Sequence, residues 1–374
     1  MPSWLKEGRG SLCGANVSLL LREMGITKPL LVAGERTKNV FFARTGMRLP
    51  VFDAFHPNPD LQDCVAGAAL YQEKGCDGLI SIGGGSAMDT AKGIKALLMT
   101  DIAHVRANQL PSEGNVPHLA IPGTAGTGAE TTAVAVLYEN GQKLSVDHPA
   151  LLPDGVLLDG SLLDTLPEYH RKSCAMDALA QGIESWWAKK ATPGSRIHAE
   201  RAIRGVLDNL TAYLQGDRKA QDEMLHAAYE SGVAILTTRT TAAHAMSYQI
   251  TKKLGAAHGH ACMLTLPHLW AHLAAQAEYQ PMLTELSRLL GGEKPMDGAI
   301  LLKGLLAVLE LDKIPMPDDA TLDMLAASVN PERLGNHPEA LTMAQLRAIY
   351  VQAFTPMTDT ERAEAIAAWE QYGK

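Results

Sequence analysis

From the N-terminus to about residue 160, short apolar runs alternate with helical stretches, the pattern that builds a parallel sheet with helices on both faces. Three runs read as strands, 29–33, 78–82 and 118–121, and each closes in a turn rich in glycine, threonine or proline. Open α/β sheets place their ligand-binding loops at such turns. From about Leu163 the texture changes to long Ala/Leu-rich amphipathic segments with few β-branched runs, which predicts a helical second half. The expected architecture is an α/β domain over 1–162 with a Rossmann-like parallel sheet, then an all-α domain over 163–374, the boundary falling within 161–167. The tail, 358–374, reads as a terminal amphipathic helix, and no internal repeat or low-complexity tract interrupts the pattern.

A chain of 374 residues exceeds what one core usually serves, and 46% apolar residues can fill two. Charged residues make up 20%, the net charge is -8, and no Lys/Arg block is present, which argues against nucleic acid and against an anionic membrane surface as partners. The opening MPSWLKEGRGSL lacks the apolar stretch of a leader, and no segment holds the roughly 18 unbroken apolar residues that cross a bilayer. A cytoplasmic protein is therefore expected. Cys13, Cys64, Cys76, Cys174 and Cys262 are odd in number, far apart and without a CxxC pair, so they read as buried or incidental thiols.

Candidate chemistry begins after the strand at 78–82. Gly83, Gly84, Gly85 and Ser86 run directly into a helical segment, Ala87 to Lys92. Glycines permit a tight turn and let the backbone approach a pyrophosphate, whose charge the free N–H groups of a helix start can meet. Ser86 and Asp89 have capping-box spacing, which predicts that the helix begins there. A second loop, from Pro122 to Thr131, includes Thr124 and Thr127, short hydroxyl donors suited to ribose, phosphate or amide contacts. Two such loops at the ends of neighbouring strands favour a dinucleotide site over plain turns.

In the helical half, Asp177 and Gln181 stand four apart in a segment free of Gly and Pro, so they share one helix face. His244 and His258 follow. A carboxylate with two imidazoles suits a divalent iron or zinc ion. The bland alternative is a capping aspartate and hydrogen-bonded structural histidines, and spacing alone leaves both open.

Taken together, these residues resemble the iron-containing (group III) alcohol dehydrogenase family. Gly83 to Lys92 is similar to its GGGSxxDxAK signature, and Ile121 to Glu130 to its IPTTAGTGSE loop. Lys143 and the 151–154 segment LLPD follow in order, Asp177-Ala178-Leu179 falls at its metal helix, and His244 and His258 fall at two further metal positions. The resemblance implies the dehydroquinate synthase-like fold, with a dinucleotide-binding domain, a helical metal domain and a cleft between them. It implies cofactor contacts from Gly34, Gly83, Gly84, Gly85, Ser86, Asp89, Thr124, Thr127, Lys143 and Leu158, and metal ligands at Asp177, Gln181, His244 and His258. NADPH or NADH, a divalent metal (Fe2+ or Zn2+), a small aldehyde or alcohol and a homodimer are the expected partners.

Three positions depart from the family. Gln181 replaces a histidine ligand, which leaves the metal weakly held, three-liganded or lost. Tyr248 replaces a histidine near the nicotinamide, where a phenol can protonate an alkoxide or stack on the ring. Gly34 stands where NAD-preferring relatives carry an aspartate, so with Arg36 and Lys38 near it NADPH should be accepted, against which Glu35 restores part of the repulsion.

The implied reaction is hydride transfer to an aldehyde with metal polarisation of its carbonyl, and Tyr248, His258 and Arg239 are the candidate catalytic residues. Arg239, Thr240 and Thr241 lie within five residues of His244 and could clamp a phosphonate, sulfonate or carboxylate tail, or Arg239 could be a surface charge. That stretch, with Gln181, resembles the phosphonoacetaldehyde reductase branch. The competing readings are a dehydroquinate synthase-like lyase, a metal-free reductase and an inactive nucleotide-binding relative.

Overall fold

The computed structural model describes residues 6–112 and 116–372. Contacts within the chain divide it into two units meeting at Thr165 and Leu166.

The first unit runs β1 (Lys6–Arg9), α1 (Gly14–Glu23), β2 (Pro29–Ala33), α2 (Glu35–Thr45), β3 (Val51–Phe52), α3 (Leu61–Lys74), β4 (Gly78–Gly83), α4 (Gly85–Met99), α5 (Ile102–Arg106), β5 (His118–Pro122), β6 (Val134–Glu139), β7 (Gln142–Asp147) and β8 (Gly155–Leu158). Six strands form a parallel sheet in the order β1-β8-β5-β4-β2-β3. Both faces are covered, so the central strands β2, β4 and β5 are buried throughout rather than alternating. Leu30, Val32 and Leu79 pack on one side with Leu61, Cys64 and Ile94, while Leu31, Ala33, Ile80 and Ile82 pack on the other with Val17, Leu21 and Phe41.

Between β2 and β4 the strand order reverses, since the chain goes from β2 outward to β3 and then returns to the other side. Open parallel sheets bind ligands at the carboxyl ends of strands at such a reversal. A feature absent from the sequence reading is the antiparallel hairpin β6–β7. Its two-residue turn, Asn140 and Gly141 with φ of 50° and 72°, is the asparagine-glycine pair that matches strand twist.

The second unit is helical throughout its described residues: α6 (Glu168–Trp187), α7 (Pro193–Leu214), α8 (Arg218–Thr238), α9 (Ala242–Gln249), a π-helical turn (Ile250–Leu254), α10 (His258–Ala274), α11 (Gln280–Leu289), α12 (Asp297–Val308), α13 (Asp319–Ala327), α14 (Pro331–Gly335), α15 (Met343–Phe354) and α16 (Asp359–Tyr372). Among the described residues no helix is long and apolar enough to cross a membrane.

Candidate active site

In the first unit, Gly34 follows β2 and Gly83 ends β4, so the two glycines flank the strand reversal. Gly83 has φ +146°, a conformation that side chains rarely adopt, and it completes the reversal into α4. Helix α4 therefore starts at Gly85 with Gly84 as its N-cap and no side-chain cap. The expected Ser86–Asp89 capping box does not form, because the glycine turn has already set the helix start. Ser86 instead accepts from the Asn58 N–H, and Asp89 accepts from the backbone of Val136. Burial lifts the Asp89 carboxyl to about 6 against the pull of Lys92 and Lys143.

The two loops meet. A Cβ on Gly84 would lie 3.3 Å from Thr124 Cγ2, and one on Gly85 would lie 3.5 Å from Thr127 Cγ2. The Gly123 N–H donates to the Gly83 carbonyl at 2.7 Å. Lys92, fully buried, braces the second loop by donating to the carbonyls of Ala129 and Val134 and to the Thr132 hydroxyl. Burial also lowers Lys92 to about 8 and raises the neighbouring Glu130 carboxyl to about 7. Leu158 is buried at the end of β8, its carbonyl taken by the Gly10 N–H. Beside Gly34, Lys38 is held by Glu35 at 2.6 Å and Asp53 at 2.7 Å, and Arg36 donates to the Thr165 carbonyl.

In the second unit, Asp177 on α6, His244 on α9, and His258 and Cys262 on α10 bring their donor atoms within 4.8 Å of one another. Local packing explains the convergence. A Cβ on Gly259 would collide with the Ser173 carbonyl oxygen and lie 2.7 Å from Asp177 Cβ, so only glycine lets α10 begin against α6 at this level. The α10 start is tied down further. Tyr169 hydroxyl accepts from the Ala257 N–H, Ser173 Oγ accepts from the His260 N–H, and the His260 ring bridges Tyr169 and the Leu311 carbonyl.

Each histidine is oriented by its Nδ1. Glu184, two turns beyond Asp177 and fully buried, accepts on Oε1 from the backbone of Thr241, Ala243 and His244 and from the Thr241 hydroxyl, and on Oε2 from His244 Nδ1. One carboxylate thus caps α9 and fixes the His244 tautomer. Ser247 donates to the His244 carbonyl and so presents a lone pair to His258 Nδ1 at 3.3 Å. Both Nε2 atoms face Asp177, at 3.3 Å from His244 and 3.8 Å from His258, and each offers a lone pair once its ring gives up the Nε2 proton.

His244 Nε2 and Asp177 Oδ1 are buried, lie 3.3 Å apart and find no hydrogen-bond partner outside this cluster. Buried polar atoms rarely stay unpaired without a functional reason. A carboxylate, two imidazoles and a thiol around two such atoms fit a divalent transition metal. The charges reinforce one another. Burial works to neutralise all four groups, yet Cys262 and Glu184 hold His244 well above the usual imidazole range, Cys262 and Asp177 raise His258 to about 9, and the two imidazoles lower Cys262 to about 7. Asp177 stays below the ordinary carboxylate range, burial being outweighed by His258, His244 and Gln181.

Gln181 has a different role in this geometry. The Ser231 hydroxyl donates to its Oε1 at 2.8 Å, and its amide hydrogen-bonds Asp177. Tyr248 stacks on His258, rings 5.9 Å apart and 3° from parallel. Arg239 follows α8 in a left-handed backbone conformation, φ 62°, with Nη1 donating to the Leu236 carbonyl. Asn336 holds that turn by donating to the carbonyls of Thr238 and Thr240. The Thr241 hydroxyl is committed to Glu184 and accepts from Trp187 Nε1.

The sequence reading missed Cys262 and Glu184. Cys262 is four residues after His258, and Glu184 extends the Asp177–Gln181 face by one turn, so helical periodicity marks both.

A doubly wound parallel sheet followed by a helical unit with an aspartate–histidine–histidine cluster is the combination that comparison with known proteins assigns to one family. Residues 3–160 match the iron-containing alcohol dehydrogenase family, and residues 172–354 match the C-terminal part of the Fe-containing alcohol dehydrogenase family. The chain belongs to the iron-containing alcohol dehydrogenase family. It is 34% identical to the probable alcohol dehydrogenase EutG of Escherichia coli (strain K12), over 65% of this chain and 60% of that protein. It is 36% identical to the phosphonoacetaldehyde reductase of Streptomyces viridochromogenes, over 57% of this chain and 58% of that protein. The chain thus spans about three-fifths of the length of these curated relatives. Among solved structures, the sulfoacetaldehyde reductase from Bifidobacterium kashiwanohense in complex with NAD+ superposes with a TM-score of 0.84 at 26% identity, covering 95% of this chain and 97% of that one.

Proposed function

We propose that this protein catalyses the reversible NAD(P)H-dependent reduction of a small aldehyde to its primary alcohol. The observation that carries the reading is the convergence of Asp177, His244, His258 and Cys262 around two unpaired buried atoms, in a chain of this family. When bound, a dihydronicotinamide supplies hydride, and a divalent iron or zinc supplies the positive charge that answers the charge developing on the carbonyl oxygen.

The chain's own residues do the rest. The Gly83–Gly85 turn and the uncapped start of α4 receive a pyrophosphate, with Thr124 and Thr127 alongside. Lys143, Asp89 and Ser86 border this loop region, while the committed carbonyl of Leu158 leaves that residue as a wall. Lys38 is already claimed by Glu35 and Asp53, which favours NADH over NADPH. Glu184 and Ser247 hold both imidazoles with Nε2 toward the cluster, and Tyr248, stacked on His258, holds a phenolic proton for the product alkoxide.

The substrate class we favour is an aldehyde with an anionic tail. Two similar proteins are named for phosphonoacetaldehyde and sulfoacetaldehyde, and Arg239 is held in a strained backbone conformation five residues before His244. The test follows NADH and NADPH consumption against neutral, phosphonate-bearing and sulfonate-bearing aldehydes. Stoichiometric NADH loss with anionic aldehydes preferred is expected. Arg239→Gly, which keeps the left-handed backbone unstrained, should cut kcat/KM for anionic aldehydes by at least about tenfold and spare neutral ones. Equal losses would remove the anion clamp, and no net consumption with any aldehyde would remove the reductase reading.

A further inference from the structure

We propose that Cys262 is a metal ligand in this protein, so that the ion is held by one carboxylate, two imidazoles and one thiolate, and that this donor set selects zinc over iron. The inference rests on the metal-dependent reading above and deepens it.

Two observations point the same way. The first is that Gln181 is turned to other work: its Oε1 takes the Ser231 hydroxyl while its amide supports Asp177. The second is that Cys262, with no solvent exposure, lies one helical turn beyond His258 on α10 and places Sγ 3.9 Å from His258 Nε2. That sulfur shares the 4.8 Å cluster with the Asp177 and His244 donors, whose Oδ1 and Nε2 have no hydrogen-bond partner outside the cluster. Ligand atoms around a tetrahedral zinc stand about 3.3–3.8 Å apart, as follows from Zn–N and Zn–S bonds of about 2.1 and 2.3 Å. Small adjustments bring the four groups to that spacing.

The chemistry of the donors sets the preference. Thiolate is the softest oxygen-, nitrogen- or sulfur-donor that a protein chain offers, and mixed His/Cys sites favour zinc over ferrous iron. Binding converts the Cys262 thiol to a thiolate and releases one proton to solvent, with no change of oxidation state. Zinc also accepts a fifth ligand, so four protein donors leave room for a carbonyl oxygen.

The experiment uses full-length protein loaded with cobalt(II) as a spectroscopic stand-in for zinc. Wild type should show both cobalt d–d bands and a sulfur-to-cobalt charge-transfer band in the near ultraviolet. Cys262→Ser should lose the charge-transfer band, keep d–d bands at saturating cobalt, and bind zinc at least about tenfold more weakly by chelator competition. Protein from cells supplied with both metals should carry zinc in excess of iron. Cobalt d–d bands without charge transfer in wild type would overturn the thiolate ligand while leaving the metal site standing. Absence of both bands would overturn the metal reading itself. If Cys262→Ser does not fold, Cys262→Ala and the wild-type spectrum decide the same question.

Discussion

Replacing Glu184 with glutamine should cost metal affinity more than fold stability. The carboxylate receives the N–H groups of Thr241, Ala243 and His244 at 3.0, 3.0 and 3.4 Å and the Thr241 hydroxyl at 2.6 Å, all on Oε1. An amide oxygen can keep these four. The other carboxylate oxygen faces His244 Nδ1, and there glutamine places an NH2 group against an N–H. The imidazole relieves the clash by moving its proton to Nε2, the atom that must offer a lone pair to the ion.

The penalty is about that of one charge-assisted hydrogen bond, roughly 1.5–3 kcal/mol. Converted at 1.4 kcal/mol per decade, this is a loss of about 10- to 150-fold in affinity. Zinc and iron affinities measured by chelator competition should fall by that factor, while the melting temperature of metal-free Glu184→Gln changes little. Glu184→Ala provides the contrast. It strands three buried backbone N–H groups and should destabilise the metal-free protein by about 3–5 kcal/mol. Metal affinity of Glu184→Gln within about twofold of wild type would refute the tautomer argument and leave Glu184 as a helix cap alone.

Gly259→Ala should push α10 away from α6, because its methyl would collide with the Ser173 carbonyl. The expected result is a loss of about 1–3 kcal/mol in chemical denaturation together with substoichiometric metal by elemental analysis. Glu130 supplies the pH test. Its folded carboxyl titrates at about 7 against an ordinary 4.5, so the folded state holds the proton more tightly than the unfolded one. Stability from this group is therefore fully present below about 4.5 and is lost as pH rises through about 7, and Glu130→Gln should flatten the denaturation-midpoint profile between those values. An unchanged slope would contradict the assignment.

Much of the fold was legible because its signals are local. Apolar runs bounded by glycine mark β2, β4 and β5, and the Gly83–Gly85 turn announces the start of α4. The capping-box reading failed within that same segment, since spacing at Ser86 and Asp89 carries no information about the backbone of Gly84. The Asn140–Gly141 pair is a local signal of the antiparallel hairpin β6–β7, which stands apart from the parallel sheet that the surrounding alternation of strands and helices predicts. At the candidate site, Asp177, His244 and His258 were found by type and spacing. Cys262 is not marked by cysteine spacing, because its partners are histidines and not thiols. Glu184 acts through hydrogen bonds spanning about sixty residues of chain, and such partners become visible only when α6 and α9 are seen together.

Lys92 has one further consequence. Its ammonium group, sealed beneath the 129–134 segment by three acceptors, makes the helix carrying the glycine turn also the scaffold of the facing threonine loop. The conformational entropy of that loop is surrendered during folding rather than on ligand arrival. Nucleotide capture by this half of the molecule should accordingly resemble docking to a rigid cradle, with fast association and little heat-capacity change beyond that of the surface covered.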